Sequence, residues 1–507
     1  MMPRHLALLL PLVNAAGAAG ATGGNFVDGQ CTNVHTTSSD LFPDKCEYGT
    51  QFTQVVAADY SLLWSVEYHD SYKVVRNERT GAVHVLHQCG VVAPSKDEVP
   101  ADAKDAPLVE VPLTSVAAAS TAYLAFIEML GERRSLKSYQ SSFYEVSSPC
   151  LRRMYRDGLI TEKDLDAEPP SDPDLRALGV GATFASSSGM DDYNAVELTD
   201  AQEEMPHAVL KAAEYVEYVG LYFNREKEAA QAIARIVANW LCTKEAVRAL
   251  AKPSVKVLWA HYWAFATCSN GGNGGWSVAA EGTWYSEIVE TAGGELIVPG
   301  SAADCESDGV PYLSTAQLLE VGGDADVFIS SRPFPEAVDV SSLPAYQDGR
   351  VFDNQGPNGA NDWFERRVVE PDALLQDMAV AFYPDAAELE GLSRKWLRDV
   401  VADEPVGGVL DEDLDAACPD IDAPYEFSST NMCAWLVTEP ASENPSDSSN
   451  NNSPETASGG VIAAFVVASA LVLLAVGGLS YYTNRPYKLV PPANAPDDPV
   501  APNTVAA

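Results

Sequence analysis

Basic residues are scarce in this chain: 32 Lys and Arg stand against 72 Asp and Glu in 507 residues, a formal charge of −40. That balance excludes a nucleic-acid binder, whose clustered cations must displace counterions from a phosphate backbone. It argues equally against docking on an anionic lipid surface. An exported protein, by contrast, is kept soluble by surplus carboxylates. Histidine is scarcer still, with 7 residues. His84 and His87 form no set, and His69, His207 and His261 are scattered, so no metal site is assigned. The chain has no Cys-x-x-Cys, no Gly-x-Ser-x-Gly and no Gly-Lys-Ser/Thr ending to a glycine loop. These absences remove zinc ribbons, dithiol redox motifs, the nucleophile elbow and the P-loop. No long-period repeat occurs either, which disfavours solenoids and repeat-built adhesion modules.

One long apolar run is present. Val461–Tyr482 is uncharged and, at about 22 residues, long enough to cross a bilayer as a helix. Residues 1–21 have the form of a secretory signal: Arg4 and His5, then Leu6–Val13, then small residues up to Ala21. Arg485 and Lys488 follow the apolar run, so the expectation is a single-pass type I membrane protein with its C-terminus cytoplasmic. The tail, 483–507, is too short and too rich in Pro and Ala to fold. Function is expected in the ectodomain, at the plasma membrane or an endomembrane.

Nine cysteines in an exported chain read as disulfides. Proximity suggests Cys31–Cys46, Cys268–Cys305 and Cys418–Cys433, with Cys89 able to meet Cys150 and Cys242 left as a buried thiol. Asn451-Asn452-Ser453 is a glycosylation sequon in a polar stretch.

Alternating apolar positions predict strands at Tyr60–Tyr68, Tyr72–Val75, Val83–Val92 and Leu108–Val111, with helical spacing over Ala117–Leu130. This β-then-α order defines an N-terminal lobe, 22–202. Residues 203–251 are almost wholly helical, broken near Tyr222–Glu226, and Ala229, Ile233, Ile236, Val237, Trp240 and Leu241 form one stripe. The alternation resumes over 252–402: strands at Val255–Ala260, Val327–Ser330 and Val351–Asp353, helices at Trp284–Ala292, Ser314–Val321 and Pro371–Phe382. Residues 403–460, acidic and then Ser/Asn/Pro-rich, read as a disordered stalk. The fold class is α/β, with two lobes joined by a long rigid helix, and a C-terminal transmembrane helix. A cleft between such lobes is a common place to hold a small ligand.

Aromatics gather where strand ends should meet that cleft: Trp259, Tyr262, Trp263 and Phe265, then Trp276, Trp284 and Tyr285. They suit either core packing or a wall for a flat, bulky ligand, and their clustering around the Gly-rich Ser269–Gly275 favours the wall. The glycine run itself reads as a mobile loop. Asn361-Asp362-Trp363-Phe364-Glu365-Arg366, shortly before Pro371, reads as a polar-aromatic loop entering a helix. Its carboxylates and Arg366 suit amide recognition, and Trp363 suits an apolar ligand face.

Asp362-Trp363-Phe364-Glu365-Arg366 before a Pro-led helix resembles the C-terminal loop of the bacterial periplasmic vitamin B12-binding proteins, of the helical-backbone (class III) solute-binding class. Trp284–Glu295 is similar to that class's Gly-Gly-Glu turn, and Ser314–Asp326 to its next helix. The plan of signal, two Rossmann-like lobes, stalk, anchor and tail resembles the algal cobalamin-acquisition proteins. The resemblance covers the C-terminal lobe best and the N-terminal lobe weakly. It implies Asp362 and Arg366 as ligand contacts, Tyr312 as an aromatic wall residue, and Trp259 or Tyr262 as the opposite wall. Ala316 stands where the bacterial proteins offer a transporter a glutamate, which puts docking on a bacterial-type permease in doubt.

The expected function is therefore capture of cobalamin between the lobes to support its uptake, without catalysis, a catalytic cofactor or a protein–cobalt bond. The membrane partner that takes the ligand on, whether a transporter or endocytic machinery, is not identified. A receptor for haem or an iron-siderophore is the alternative of the same class, and an extracellular hydrolase the alternative of another.

Overall fold

The computed structural model describes residues 64–432, apart from short internal stretches, together with 26–27, 30–31 and 41–42. The expected signal, Asn451, the run Val461–Tyr482 and the tail lie outside the described residues, as does Cys46, the expected partner of Cys31. Among the described residues no helix is long and apolar enough to cross a membrane. Contacts divide the chain after Pro440, and every element below belongs to the first unit.

Strands β1 (Trp64–Tyr68), β2 (Tyr72–Asn77) and β3 (Val83–Gln88) run antiparallel, and β4 (Leu108–Val111) joins β3 in parallel. The buried Lys73 ties this small sheet to the central helices, donating from Nζ to Leu221 O, Asn224 Oδ1 and Glu226 Oε1 at 2.7–2.8 Å.

The first lobe is built on β5 (Val116–Ala118), α1 (Thr121–Met129), β6 (Leu136–Tyr139), α2 (Pro149–Arg156), β7 (Thr161–Glu162), β8 (Ala182–Ala185) and β9 (Ala195–Glu197). All five strands are parallel, in the order β9-β8-β5-β6-β7. The order reverses beside β5, the type of switch point at which open α/β sheets leave a crevice beyond their strand ends. The helical segment follows as α3 (Val209–Ala213), α4 (Tyr215–Phe223) and α5 (Glu226–Ala249). Asn224 ends α4 in the left-handed region at φ 53°, which is the break visible in the sequence. At 24 residues α5 is about 36 Å long, and it buries Ala229, Ile233, Ile236 and Trp240.

In the second lobe, β10 (Val255–Cys268) runs far beyond the expected strand end at Ala260. Its first part, Val255–Trp259, lies in a parallel sheet between β12 (Gly294–Leu296) and β15 (Val327–Ser330), followed by β16 (Val351–Asp353) and an antiparallel edge strand, β17 (Arg398–Asp399). Its second part, from Ala260, pairs antiparallel with β11 (Asn273–Val278) and at its tip with β13 (Cys305–Ser307), which continues to β14 (Val310–Tyr312). Helices α6 (Trp284–Thr291), α7 (Thr315–Val321), α8 (Pro344–Gln347), α9 (Ala360–Arg366), α10 (Pro371–Phe382) and α11 (Leu414–Ala417) complete it. Part of the glycine run is strand rather than mobile loop. Gly275 faces Trp263 in the ladder, where an added Cβ would lie 2.7 Å from that of Tyr312.

Four expectations need correction. The stretch 403–432 is not a disordered stalk: it packs along both lobes, because its carboxylates meet arginines of the first. Asp411 pairs with Arg152 at 2.6 Å, Asp415 with Arg156 at 2.7 Å and Asp422 with Arg134 at 2.5 Å. Cys418 is joined to Cys150, at the start of α2, and not to Cys433, since α11 packs on α2. Cys242 is disulfide-bonded, as is Cys89, so the odd thiol is not Cys242 and Cys89 does not meet Cys150. The pair Cys268–Cys305 forms as expected, across the β10/β13 ladder.

The Cys150–Cys418 bond closes a loop of 268 residues between the first lobe and the end of the second. Replacing both cysteines by alanine is expected to cost about 2–5 kcal/mol of unfolding free energy in a denaturant titration. An unaltered midpoint would show that the ion pairs alone hold the segment.

Candidate functional site

The carboxyl-terminal ends of the two parallel sheets face each other, because the chain leaving β6 meets the chain leaving β16. Asn361 Nδ2 donates to Tyr144 O at 3.0 Å, Ser147 Oγ to Asp362 at 3.0 Å and the Ser147 amide to Glu365 at 2.7 Å. Behind them, Arg133 and Ser148 both donate to Glu128 Oε1, at 2.6 and 2.8 Å. This middle part of the contact is closed, with Glu128, Asp362 and Glu365 all buried.

The segment expected as a loop, Asp362–Arg366, is therefore the helix α9, turned into the contact. Asp362 also accepts from Trp396 Nε1 at 2.7 Å, and Arg366 donates to Glu370 at 2.6 Å and to Glu426 O at 2.5 Å. Trp363 is fully buried against Trp259, Trp284 and Trp396, with its Nε1 unpartnered. Trp259 and Trp284 are buried with it, and Trp259 Nε1 donates to Ser331 Oγ at 2.9 Å. These side chains form the floor between the lobes; Asp362, Arg366 and Trp259 are engaged by protein groups, while Trp363 Nε1 and Trp284 Nε1 are buried without a partner.

Two open regions flank this floor. On the β6/β16 side is a cavity of about 1020 Å³, with Tyr144, Tyr155 and Arg152 on one wall, Asn361 on the other, and Val406 and Leu410 forming its roof. The roof belongs to the C-terminal segment, whose Asp411 and Asp415 already engage Arg152 and Arg156.

The other region lies on β10, two strand spacings from β16. Side chains alternate along a strand, so Val257, Trp259, His261 and Trp263 share one face, and past the irregularity that follows Trp263 the ring of Phe265 still packs on Trp263. That face begins buried at Trp259 and emerges as the strand leaves the parallel sheet, until Phe265 is 60% exposed. Trp263 contacts His261 at 5.3 Å and Phe265 at 5.2 Å between ring centres, and Tyr312 meets Phe265 edge-on at 6.4 Å. Trp263 is fixed by its Nε1, which donates to Ser277 Oγ at 3.0 Å, and Arg332, just past β15, lies 4.2 Å from the ring centre. The structure thus brings Trp263, Phe265 and Tyr312 into one aromatic wall at the lobe-facing edge. Tyr262 and Trp276 point to the opposite side, where Trp276 is core against Phe328 and Phe334. Ala316 is exposed on the first turn of α7.

Arg332 escaped the sequence analysis, although its place directly after the strand Val327–Ser330 was a usable signal.

No family model matches the chain, and no curated protein does. Solved structures are similar to it over about half of its length. A possible iron-binding periplasmic solute-binding protein from Staphylococcus epidermidis has a TM-score of 0.38 and 12% identity, covering 54% of this chain and 99% of its own. A periplasmic heme-binding protein from Pseudomonas aeruginosa gives 0.35 and 14%, covering 56% and 97%. A siderophore-binding protein, bound to two molecules of acinetobactin and ferric iron, gives 0.39 and 15%, covering 53% and 92%. These neighbours are solute-binding proteins, and the likeness is one of mixed α/β fold alone.

Burial, reinforced by Glu128, pushes Glu365 up to about 8 from an ordinary 4.5. The folded protein thus keeps this group protonated at neutral pH, while the unfolded chain does not. Between those values folding takes up a proton, and stability falls as pH rises, by up to about 1.4 kcal/mol per pH unit. Asp372, raised to about 7 by burial and by Glu370, adds a second slope of the same sign. Glu365→Gln is expected to flatten the loss of denaturant midpoint between about pH 5 and pH 8. A slope equal to that of the unmodified protein contradicts a protonated Glu365.

Proposed function

We propose that the chain is a non-enzymatic binding protein that captures cobalamin between its lobes and supports its uptake. The observation that carries this is the β10 face, which rises from the buried floor at Trp259 to the half-buried Trp263 and the exposed Phe265 at the lobe-facing edge. Rigid rings on a strand clamped by the Cys268–Cys305 bond offer a large flat contact at low entropic cost, which suits a macrocycle better than a small polar solute.

Affinity in this reading comes from the wall, not from Asp362, Trp363 and Arg366, whose places in the closed contact suit positioning of the lobes. The apolar run Val461–Tyr482 would hold the binder beside the membrane, its ligand passing to an endocytic or transport partner. Haem or an iron-siderophore remains the second reading, favoured by the exposed cation Arg332 beside the rings. A hydrolase is disfavoured at the floor, where the clustered acids Glu128, Asp362 and Glu365 are shut from solvent.

Calorimetry on residues 22–440 with cyanocobalamin, haemin and a ferric siderophore separates these readings. Saturable binding of cyanocobalamin at micromolar concentration is expected. Trp263→Ala with Phe265→Ala should weaken it tenfold or more, about 1.4 kcal/mol. Saturation by haemin or siderophore alone moves the reading to that ligand, and no binding of any of them refutes it.

A further inference from the structure

Arg332 leaves the end of β15 on the lobe-facing edge, and its guanidinium lies over the Trp263 ring. No ion pair or side-chain hydrogen bond engages it among the described residues. Elsewhere in the second lobe the pattern is different: Arg398 is paired with Asp353, Arg394 with Glu404 and Arg366 with Glu370. With 72 carboxylates for 32 cations, an exposed guanidinium that meets an indole in place of an acid stands out. The contact with the indole leaves the guanidinium N–H groups without an acid partner, and their geometry matches the two oxygens of a carboxylate or a phosphodiester. Trp263 is itself held by Ser277, so the cation sits on an anchored ring that also touches the exposed ring of Phe265.

We propose that Arg332 is an oxyanion anchor of the aromatic wall: the ligand is a macrocycle whose ring packs on Phe265 and the edge of Trp263 while a phosphodiester or carboxylate on its periphery meets the guanidinium. This rests on the wall being the ligand site. It adds a requirement, since a ring without the oxyanion should bind weakly.

The test uses the full chain in detergent and two matched pairs of probes. Cyanocobalamin carries a phosphodiester and dicyanocobinamide lacks it; haemin carries carboxylates and haemin dimethyl ester lacks them. The oxyanion-bearing member of one pair is expected to bind at least tenfold more tightly than its partner, and that pair identifies the source of the oxyanion. Arg332→Gln should erase the difference by weakening the oxyanion-bearing member alone, and Arg332→Lys should restore part of it. Equal binding of both members, or equal loss of both in Arg332→Gln, overturns the anchor and leaves the wall standing. No saturable binding of any of the four overturns the wall and the anchor together.

Discussion

Strand β10 belongs to two sheets, and the site depends on that. Its first residues are locked between β12 and β15 in the parallel core of the second lobe, and its last are locked to β11 and β13, with Cys268–Cys305 at the tip. A strand held at both ends cannot twist its side chains away. The alternation that buries Val257 and Trp259 therefore carries Trp263 out over the lobe-facing edge, and Phe265, past the irregularity that follows, packs on its ring. Gly275 lets β11 and Tyr312 approach closely enough to back the wall.

Electrostatics sets how the lobes meet. The scarce arginines are concentrated along the interlobe contact: Arg134, Arg152 and Arg156 bind the acidic C-terminal segment, while Arg133 and Arg366 serve the buried carboxylates Glu128 and Glu370. Exposed pairs of this kind contribute about 0–1 kcal/mol each, so the Cys150–Cys418 bond and the packing of α1 on α9 carry more of the load. The middle of the contact is consequently a closed floor, and open surface is left to its flanks.

Much of the second lobe was legible in the sequence. Val327–Ser330, Val351–Asp353 and Pro371–Phe382 match the observed elements because short apolar runs and a Pro-led amphipathic pattern are local signals. The extension of β10 was not, since Tyr262–Thr267 mixes rings and small residues whose pairing depends on distant strands. The C-terminal segment misled for a similar reason. Its acids and prolines look like those of a stalk, whereas the groups that hold it, Arg133, Arg134, Arg152, Arg156 and Cys150, are far away in sequence. Cys418 likewise finds a partner 268 residues away, a separation that no spacing rule reaches. At the site, Trp263 and Tyr312 were visible as aromatics near a strand end. Trp276, equally visible, sits on the opposite face of the sheet, a distinction set by the pleat, whereas Trp363 was misplaced because its segment is a buried helix.

The most direct measurement is amide hydrogen exchange of the protein with and without saturating cyanocobalamin. Slowed exchange should centre on the upper half of β10, Ala260–Cys268, on β11, and on the residues around Arg332, with little change at α9, which is already closed. Protection confined to α9 and its Asp362–Arg366 segment, or no protection in β10 despite bound ligand, would contradict the wall as the site.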